Sequence, residues 1–272
     1  MARGIRLALA ASGILFVLAS AAAAHDDRSA REMLLDQQAA LAFSQNAIGR
    51  RISDHVFVER DGRLMTLAAL RGRPLVINMI YTSCAHTCPL TVQTIRRAVE
   101  AARSTLGSES FTVLTVGLDA RNDTPARMSD YARRQGASLP GWLFVAADHA
   151  TIDRFSAEIG FLFAPTAAGF DHLAQTTIVD GDGRIVRQIY GADFPLFALV
   201  EPLRELALGK SGELLSVSAI ARRIRLLCTV YDASADRYRF SYGVFMEYAV
   251  GFASLLAVGV FLVCAWRQTR RA

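Results

Sequence analysis

Cysteine is scarce in this chain, four residues in 272, and four cannot build the disulfide framework on which small exported scaffolds depend. A concentrated basic face is missing as well. The formal charge is +5, but five arginines sit at the two ends, Arg3 and Arg6 at one and Arg267, Arg270 and Arg271 at the other. Without them the charge is close to zero. Phosphate binding needs clustered rather than scattered cations, so nucleic acid is excluded as the partner. No internal repeat is visible. Disorder is excluded by an apolar content of 52%, which lets a chain of this length bury one sizeable core with extensions.

The two ends carry the long apolar runs. Arg3 and Arg6 precede an apolar stretch from Ile5 to Leu18, and the small residues Ala21 to Ala24 then lead into His25-Asp26-Asp27. This is the layout of a secretory signal with an A-x-A cleavage site, and residues 1–24 are set aside from the fold on that reading; an uncleaved anchor is the alternative. Residues 248–266 contain no charged side chain, enough at about 1.5 Å per residue for one bilayer crossing. Tyr248 and Trp266 stand at its edges as interfacial aromatics do, and the arginines of 267–272 mark the cytoplasmic side. Cys264 inside this run reads as an apolar filler. Both ends therefore place the body of the protein in the periplasm, tethered to a bacterial inner membrane.

Between the ends, residues 25–50 form a polar, alanine-rich lead-in, residues 51–209 carry a mixed pattern, and residues 210–247 form a juxtamembrane segment. Short β-branched runs predict strands at Pro74–Tyr81, Phe111–Asp119, Trp142–Val145, Thr176–Asp180 and Arg184–Tyr190, the last two joined by the turn Gly181-Asp182-Gly183. Amphipathic stretches predict helices at Pro89–Arg103, Thr124–Gln135, Ala150–Ile159 and Pro195–Leu208. Pro89 suits a helix start because its missing N–H would have no partner there, and Asp123 or Thr124 before Pro125 caps the next helix. A strand, a cysteine-bearing turn, a helix and a later hairpin read as an α/β, thioredoxin-like domain.

The chemistry is concentrated at Cys84 and Cys88. They follow a buried strand and open a helix, and in helical geometry residues four apart have Cα atoms about 6.2 Å apart. That distance also lies in the disulfide range, so the pair can hold a metal when reduced or close on itself when oxidised. A helix N-terminus favours the thiolate in either case. Two thiolates with an imidazole make a soft site that suits Cu(I), whereas zinc normally takes a fourth ligand and none is obvious. Taken alone, C-x-x-x-C is equally open to a structural bridge.

The surrounding residues resolve this. Tyr81-Thr82-Ser83-Cys84-Ala85-His86-Thr87-Cys88-Pro89 resembles the copper-site segment of the Sco/SenC family of oxidase assembly factors. Val56-Phe57-Val58-Glu59-Arg60-Asp61-Gly62 and Leu70-Arg71-Gly72-Arg73-Pro74 resemble the family's opening hairpin and turn. Val116-Gly117-Leu118-Asp119 with Asp123-Thr124-Pro125, and then Phe170-Asp171-His172, follow in the family's order. The resemblance spans about residues 40–210. It implies a thioredoxin-like fold, one copper ion held by Cys84, Cys88 and His172, and delivery of that copper to the copper-bearing subunit of cytochrome c oxidase or to another exported cuproprotein. Two features depart from the pattern. His86 stands between the cysteines where relatives often have an acidic residue, and it reads as solvent-facing or as a group that orients the ligands. The anchor lies at the C-terminal rather than the N-terminal end.

Asp119 matches an acidic family position and is a candidate for orienting the ligands, with a plain salt bridge as the alternative. His149, read as a helix cap, and His55, before a strand, are assigned structural or exposed roles. His25 offers a Cu(II) site only if it becomes the mature N-terminus, and Cys228 has no assigned mechanism. A metallochaperone rather than an enzyme is the leading expectation. Its rival is a thiol/disulfide oxidoreductase that uses Cys84 and Cys88 to reduce the cysteines of the oxidase copper subunit. The absence of C-x-x-C, and of a proline at Ala174 or Gln175, counts against general oxidoreductase work.

Overall fold

In the computed structural model, residues 36–167 and 169–209 are described, together with 229–232, 237–240, 246, 250–259, 266 and 270. The expected signal segment, Cys228, Cys264, residues 248, 249 and 260–265 of the 248–266 run and all of the tail but Arg270 lie outside the described residues. Among the described residues no helix is long and apolar enough to cross a membrane.

The chain enters through helix α1 (Gln37–Gln45), whose N-terminal amides of Gln38 and Ala39 are capped by Asp36. An antiparallel hairpin of β1 (Val56–Glu59) and β2 (Leu64–Thr66) follows. Strand β3 (Leu75–Ile80) is buried along its whole length. Its side chains divide by the two-residue strand period: Val76 and Ile80 point into one core, Leu75, Ile77 and Met79 into the other. A strand apolar on both faces must be covered on both, which places it at the centre of the sheet.

Helix α2 (Thr87–Leu106) leads to β4 (Thr112–Gly117), and α3 (Pro125–Arg134) to β5 (Trp142–Ala146). These crossovers make β3, β4 and β5 parallel neighbours. After α4 (His149–Glu158) comes a separate two-stranded hairpin, β6 (Phe163–Thr166) with β7 (Gly169–His172), and then the antiparallel pair β8 (Gln175–Val179) and β9 (Ile185–Tyr190). Helix α5 (Phe197–Gly209) closes the domain. The sheet order is β2-β1-β5-β4-β3-β8-β9. A further hairpin, β10 (Thr229–Asp232) with β11 (Arg237–Phe240), lies beyond it.

The two cores sit on opposite faces of this sheet. Val92, Ile95 and Val99 of α2, Met128 and Tyr131 of α3, and Leu199 and Val200 of α5 pack on one face; Ala47, Phe57, Ile152 and Phe155 pack on the other. In α2 the buried positions recur at three- and four-residue spacing while Arg96 and Glu100 pair on the wet side at 2.8 Å. Polar groups between β3, β4 and β5 are chained: Trp142 Nε1 donates to Thr115 Oγ1, which donates to Asn78 Oδ1. The α/β, thioredoxin-like layering expected from the residue pattern is therefore present, with each predicted strand and helix found within a few residues of its expected span.

Three local expectations are corrected. Helix α2 begins at Thr87, two residues before Pro89, so Cys88 lies in its first turn while Cys84 lies outside it; the helical spacing invoked for the pair does not apply. Asp148 rather than His149 caps α4, accepting from Thr151 N at 2.8 Å. His172 lies outside every predicted strand, yet it ends β7.

Candidate metal centre

The centre lies where β3 and β4 end, at the carboxyl edge of the parallel strands, the place where open α/β sheets leave a crevice. Beyond Ile80 the chain turns, with Cys84 N donating to Tyr81 O at 3.0 Å, and enters α2. No side chain caps α2 from the His86 position. Instead Cys84 Sγ accepts the backbone N–H of Cys88 at 3.3 Å, satisfying one of the orphan donors of the first turn. The helix start thus brings the two sulfurs together although only one residue is helical.

Their environments differ. Cys88 is 2% exposed within the α2 core, whereas Cys84 is half-buried at the rim. The Cys88 thiol donating to Cys84, helped by the amides of Cys88 and His86 and by the Tyr81 hydroxyl, outweighs burial and lowers the Cys84 pKa to about 5. The same donation, together with burial, raises that of Cys88. Burial, with Cys84 alongside, pushes Tyr81 up to about 12. The surroundings thus favour the thiolate at Cys84 and the thiol at Cys88.

Behind the cysteine turn stands Asp123. Its Oδ1 accepts from both the backbone N and Oγ1 of Thr82, at 2.8 and 2.7 Å, and its Oδ2 accepts from Asp119 N at 2.8 Å. One carboxylate therefore ties the loop before Cys84 to the end of β4. Burial raises its pKa against the pull of these donors. A Cβ at Gly117 would lie 2.6 Å from Asp123 Cβ, so the missing side chain there is what admits Asp123. Asp119, the expected orienting group, instead accepts from Arg121 N, Asn122 N and Asn122 Nδ2 and organises its own turn. Sequence reasoning missed this use of Asp123, which looked like a helix cap; Thr124 does the capping, from Arg127 N. The available signal was a second acidic residue four positions after Asp119. Tyr131 also went unnoticed. It is buried between α3 and the sulfurs, and its hydroxyl has no hydrogen-bond partner among the described residues.

His172 ends β7 opposite Phe163. Its Nδ1 donates to Leu173 O at 3.3 Å, a tautomer that leaves the Nε2 lone pair for a ligand. The Tyr81 ring stands edge-on to His172 with centroids 6.3 Å apart, and the Tyr81 carbonyl accepts from Cys84 N. Among the described residues no three His, Cys, Asp or Glu side chains converge closely enough to hold a metal. The structure thus unites Cys84 and Cys88 and holds His172 against the Tyr81 ring. The donor chemistry, a thiolate, a thiol that yields its proton to a metal, and an imidazole, is that of a soft cation site.

The other candidates stand apart. His86 is exposed. His55 is buried against Phe155 and bonded to Glu158 at 3.0 Å. His149 is exposed beside Asp153. His25 lies outside the described residues.

A dithiol at the N-terminus of the helix that follows a central strand, on a mixed sheet with helices on both faces, defines a thioredoxin-like domain with its cysteines spaced as C-x-x-x-C. Within that class, the sequence model of the SCO1/SenC family matches residues 45–207, and the chain belongs to this family. It is 20% identical over 156 residues to a SCO1 protein homolog of Bacillus subtilis, covering 55% of this chain and 78% of that one. Among solved structures it is similar to Arabidopsis thaliana ScoI with copper bound, at 16% identity and a TM-score of 0.52, over 58% of this chain and 98% of the other. It is also similar to BsSco, described as a member of the Sco family of cytochrome c oxidase assembly proteins with a disulfide switch, at 16% identity and a TM-score of 0.53, over 58% and 94%.

Proposed function

We propose that this protein is a copper metallochaperone that takes up one copper ion on Cys84, Cys88 and His172 and passes it to the copper-bearing subunit of cytochrome c oxidase or another exported cuproprotein. The observation that carries the reading is the Cys84–Cys88 pair, a thiolate and a thiol joined at a helix start and facing the hairpin that ends in His172. Family membership supports it, as does the copper held by the Arabidopsis relative.

In this reading the Cys84 thiolate meets the cation first, because it is both ionised and at the rim. Cys88 follows by giving up its proton, and its burial keeps water from that sulfur. His172 completes the set from the facing hairpin. A three-ligand site at a rim is suited to exchange with an incoming ligand pair on a partner, which is what delivery requires.

Anchoring is part of the proposal. Residues 250–259 are helical and Val250, Phe252, Leu255, Leu256 and Val258 are exposed, as a lipid-facing helix requires. Arg270 lies over the Trp266 ring at 4.0 Å, an arrangement suited to a membrane interface. The soluble domain would face the periplasm, with the C-terminal helix in the inner membrane.

A second reading, reduction of cysteines on the oxidase subunit, is favoured by the unequal thiols: a low-pKa, accessible Cys84 backed by a buried Cys88 is the layout of an attacking and a resolving thiol. His172→Ala separates the two, because it removes one ligand in three and leaves both sulfurs in place. A chaperone loses copper retention and oxidase assembly together. Normal assembly in cells with a copper-free, folded His172→Ala variant would establish the reductase instead.

A further inference from the structure

The two sulfurs are together, the imidazole does not join them in a closed metal group, and Tyr81 neighbours both the cysteine turn and His172. Tyr81 is partly buried against both cores of the sheet, so its ring rests on rigid ground. Its backbone carbonyl accepts from Cys84 N at 3.0 Å, which fixes it to the cysteine turn. The β6–β7 hairpin lies against the same ring: Phe170 meets it edge-on at 5.4 Å and His172 at 6.3 Å. The approach is closest at Gly169, where a Cβ would stand 2.8 Å from Tyr81 Cε2 and 3.1 Å from its hydroxyl oxygen. Gly169 also has φ +128°, a conformation that side chains disfavour. The hairpin is therefore pressed onto the Tyr81 ring by its backbone, at the only kind of residue that permits it. Among the described residues it pairs with no strand of the main sheet, so the ring and its aromatic neighbours help to set its position.

We propose that Tyr81 is a positioning residue whose ring props the β6–β7 hairpin, and with it His172, off the dithiol in the metal-free protein, and that His172 reaches the site only when the ring gives way. The inference rests on the copper reading above for its functional meaning, while the prop itself is a property of the metal-free chain. It explains why the three proposed ligands do not converge here. It also provides for release, since the hairpin has a resting place to return to when the ion leaves.

The test uses the full-length protein in detergent, with two readouts. In metal-free protein, amide hydrogen exchange across residues 163–172 should be faster in Tyr81→Leu, which removes the ring, than in Tyr81→Phe, which keeps it. In Cu(I)-loaded protein challenged with bicinchoninate, Tyr81→Leu should lose copper about fivefold more slowly than the parent, a coupling of ordinary size for neighbouring groups, and the slowing should vanish when His172→Ala is added. Gly169→Ala, which forces the hairpin off the ring while leaving Tyr81 intact, should lose copper faster. It also serves if Tyr81→Leu fails to fold. Unchanged exchange in a folded Tyr81→Leu protein, slowing that persists without His172, or unaltered copper loss in Gly169→Ala would each overturn the prop. If the parent takes up no Cu(I) at all, the copper reading falls instead, and the metal-free exchange result alone decides whether Tyr81 props the hairpin.

Discussion

Cys84 Sγ accepts the backbone N–H of Cys88, so the cysteine outside helix α2 caps the helix that carries its partner. This single contact ties the chemistry to the fold. The donor that the helix start would otherwise leave unpaired is the one that stabilises a thiolate, and it cannot be removed without loosening the first turn.

The unequal thiols predict a pH dependence. The Cys84 pKa is depressed, so its contribution to stability is complete above the unfolded thiol value, about 8.5, and is lost as pH falls through about 5. In reduced, metal-free protein, iodoacetamide should modify Cys84 first, with a rate that rises through about pH 5. The pH dependence of the urea midpoint in this window should flatten in Cys84→Ser. Prior alkylation of Cys88 would reverse the assignment.

Oxidation should abolish metal uptake. Only thiolates ligate, so joining Cys84 to Cys88 removes two of the three proposed ligands at once. Protein oxidised with diamide should retain no Cu(I) after desalting and recover one ion per chain after reduction. Equal loading of oxidised and reduced protein would show that the cysteines are not the site.

Asp123 should matter more than Asp119. Asp123→Ala orphans Thr82 N and Asp119 N, at a cost of about 1–3 kcal/mol for each buried donor left unpaired, and frees the loop before Cys84. Thermal unfolding should occur at a markedly lower temperature and copper retention should fall. Asp119→Ala loses only contacts within its own turn and should leave copper retention near the parent level. Gly117→Ala should behave like Asp123→Ala, because its methyl group would occupy the space that Asp123 uses.

Topology is open to a direct test. Alkaline phosphatase fused after Arg271 should be inactive, and a fusion after Gly209 active, if the helix containing 250–259 is the anchor and the domain is exported. An active fusion at the C-terminal end would overturn the proposed orientation.

What the sequence determined by itself is what depends on neighbours along the chain. Strand β3 is legible because six consecutive buried positions are apolar or small polar, helix α3 because a capping residue precedes it, and the β8–β9 turn because Gly181-Asp182-Gly183 admits little else. The cysteine spacing and the ordered family segments pointed to the same residues for the same reason. What only the tertiary structure decided depends on residues far apart in sequence. Pro165 masked β6 as a strand, since proline removes a ladder donor, and the hairpin is seated by Phe170, which packs on both Phe163 and Tyr81. Whether Asp123 capped a helix or clamped Thr82 turned on the space left by Gly117. Chain order names Cys84, Cys88 and His172, but that His172 packs on the Tyr81 ring beside the cysteine turn is fixed only by the packing around that ring.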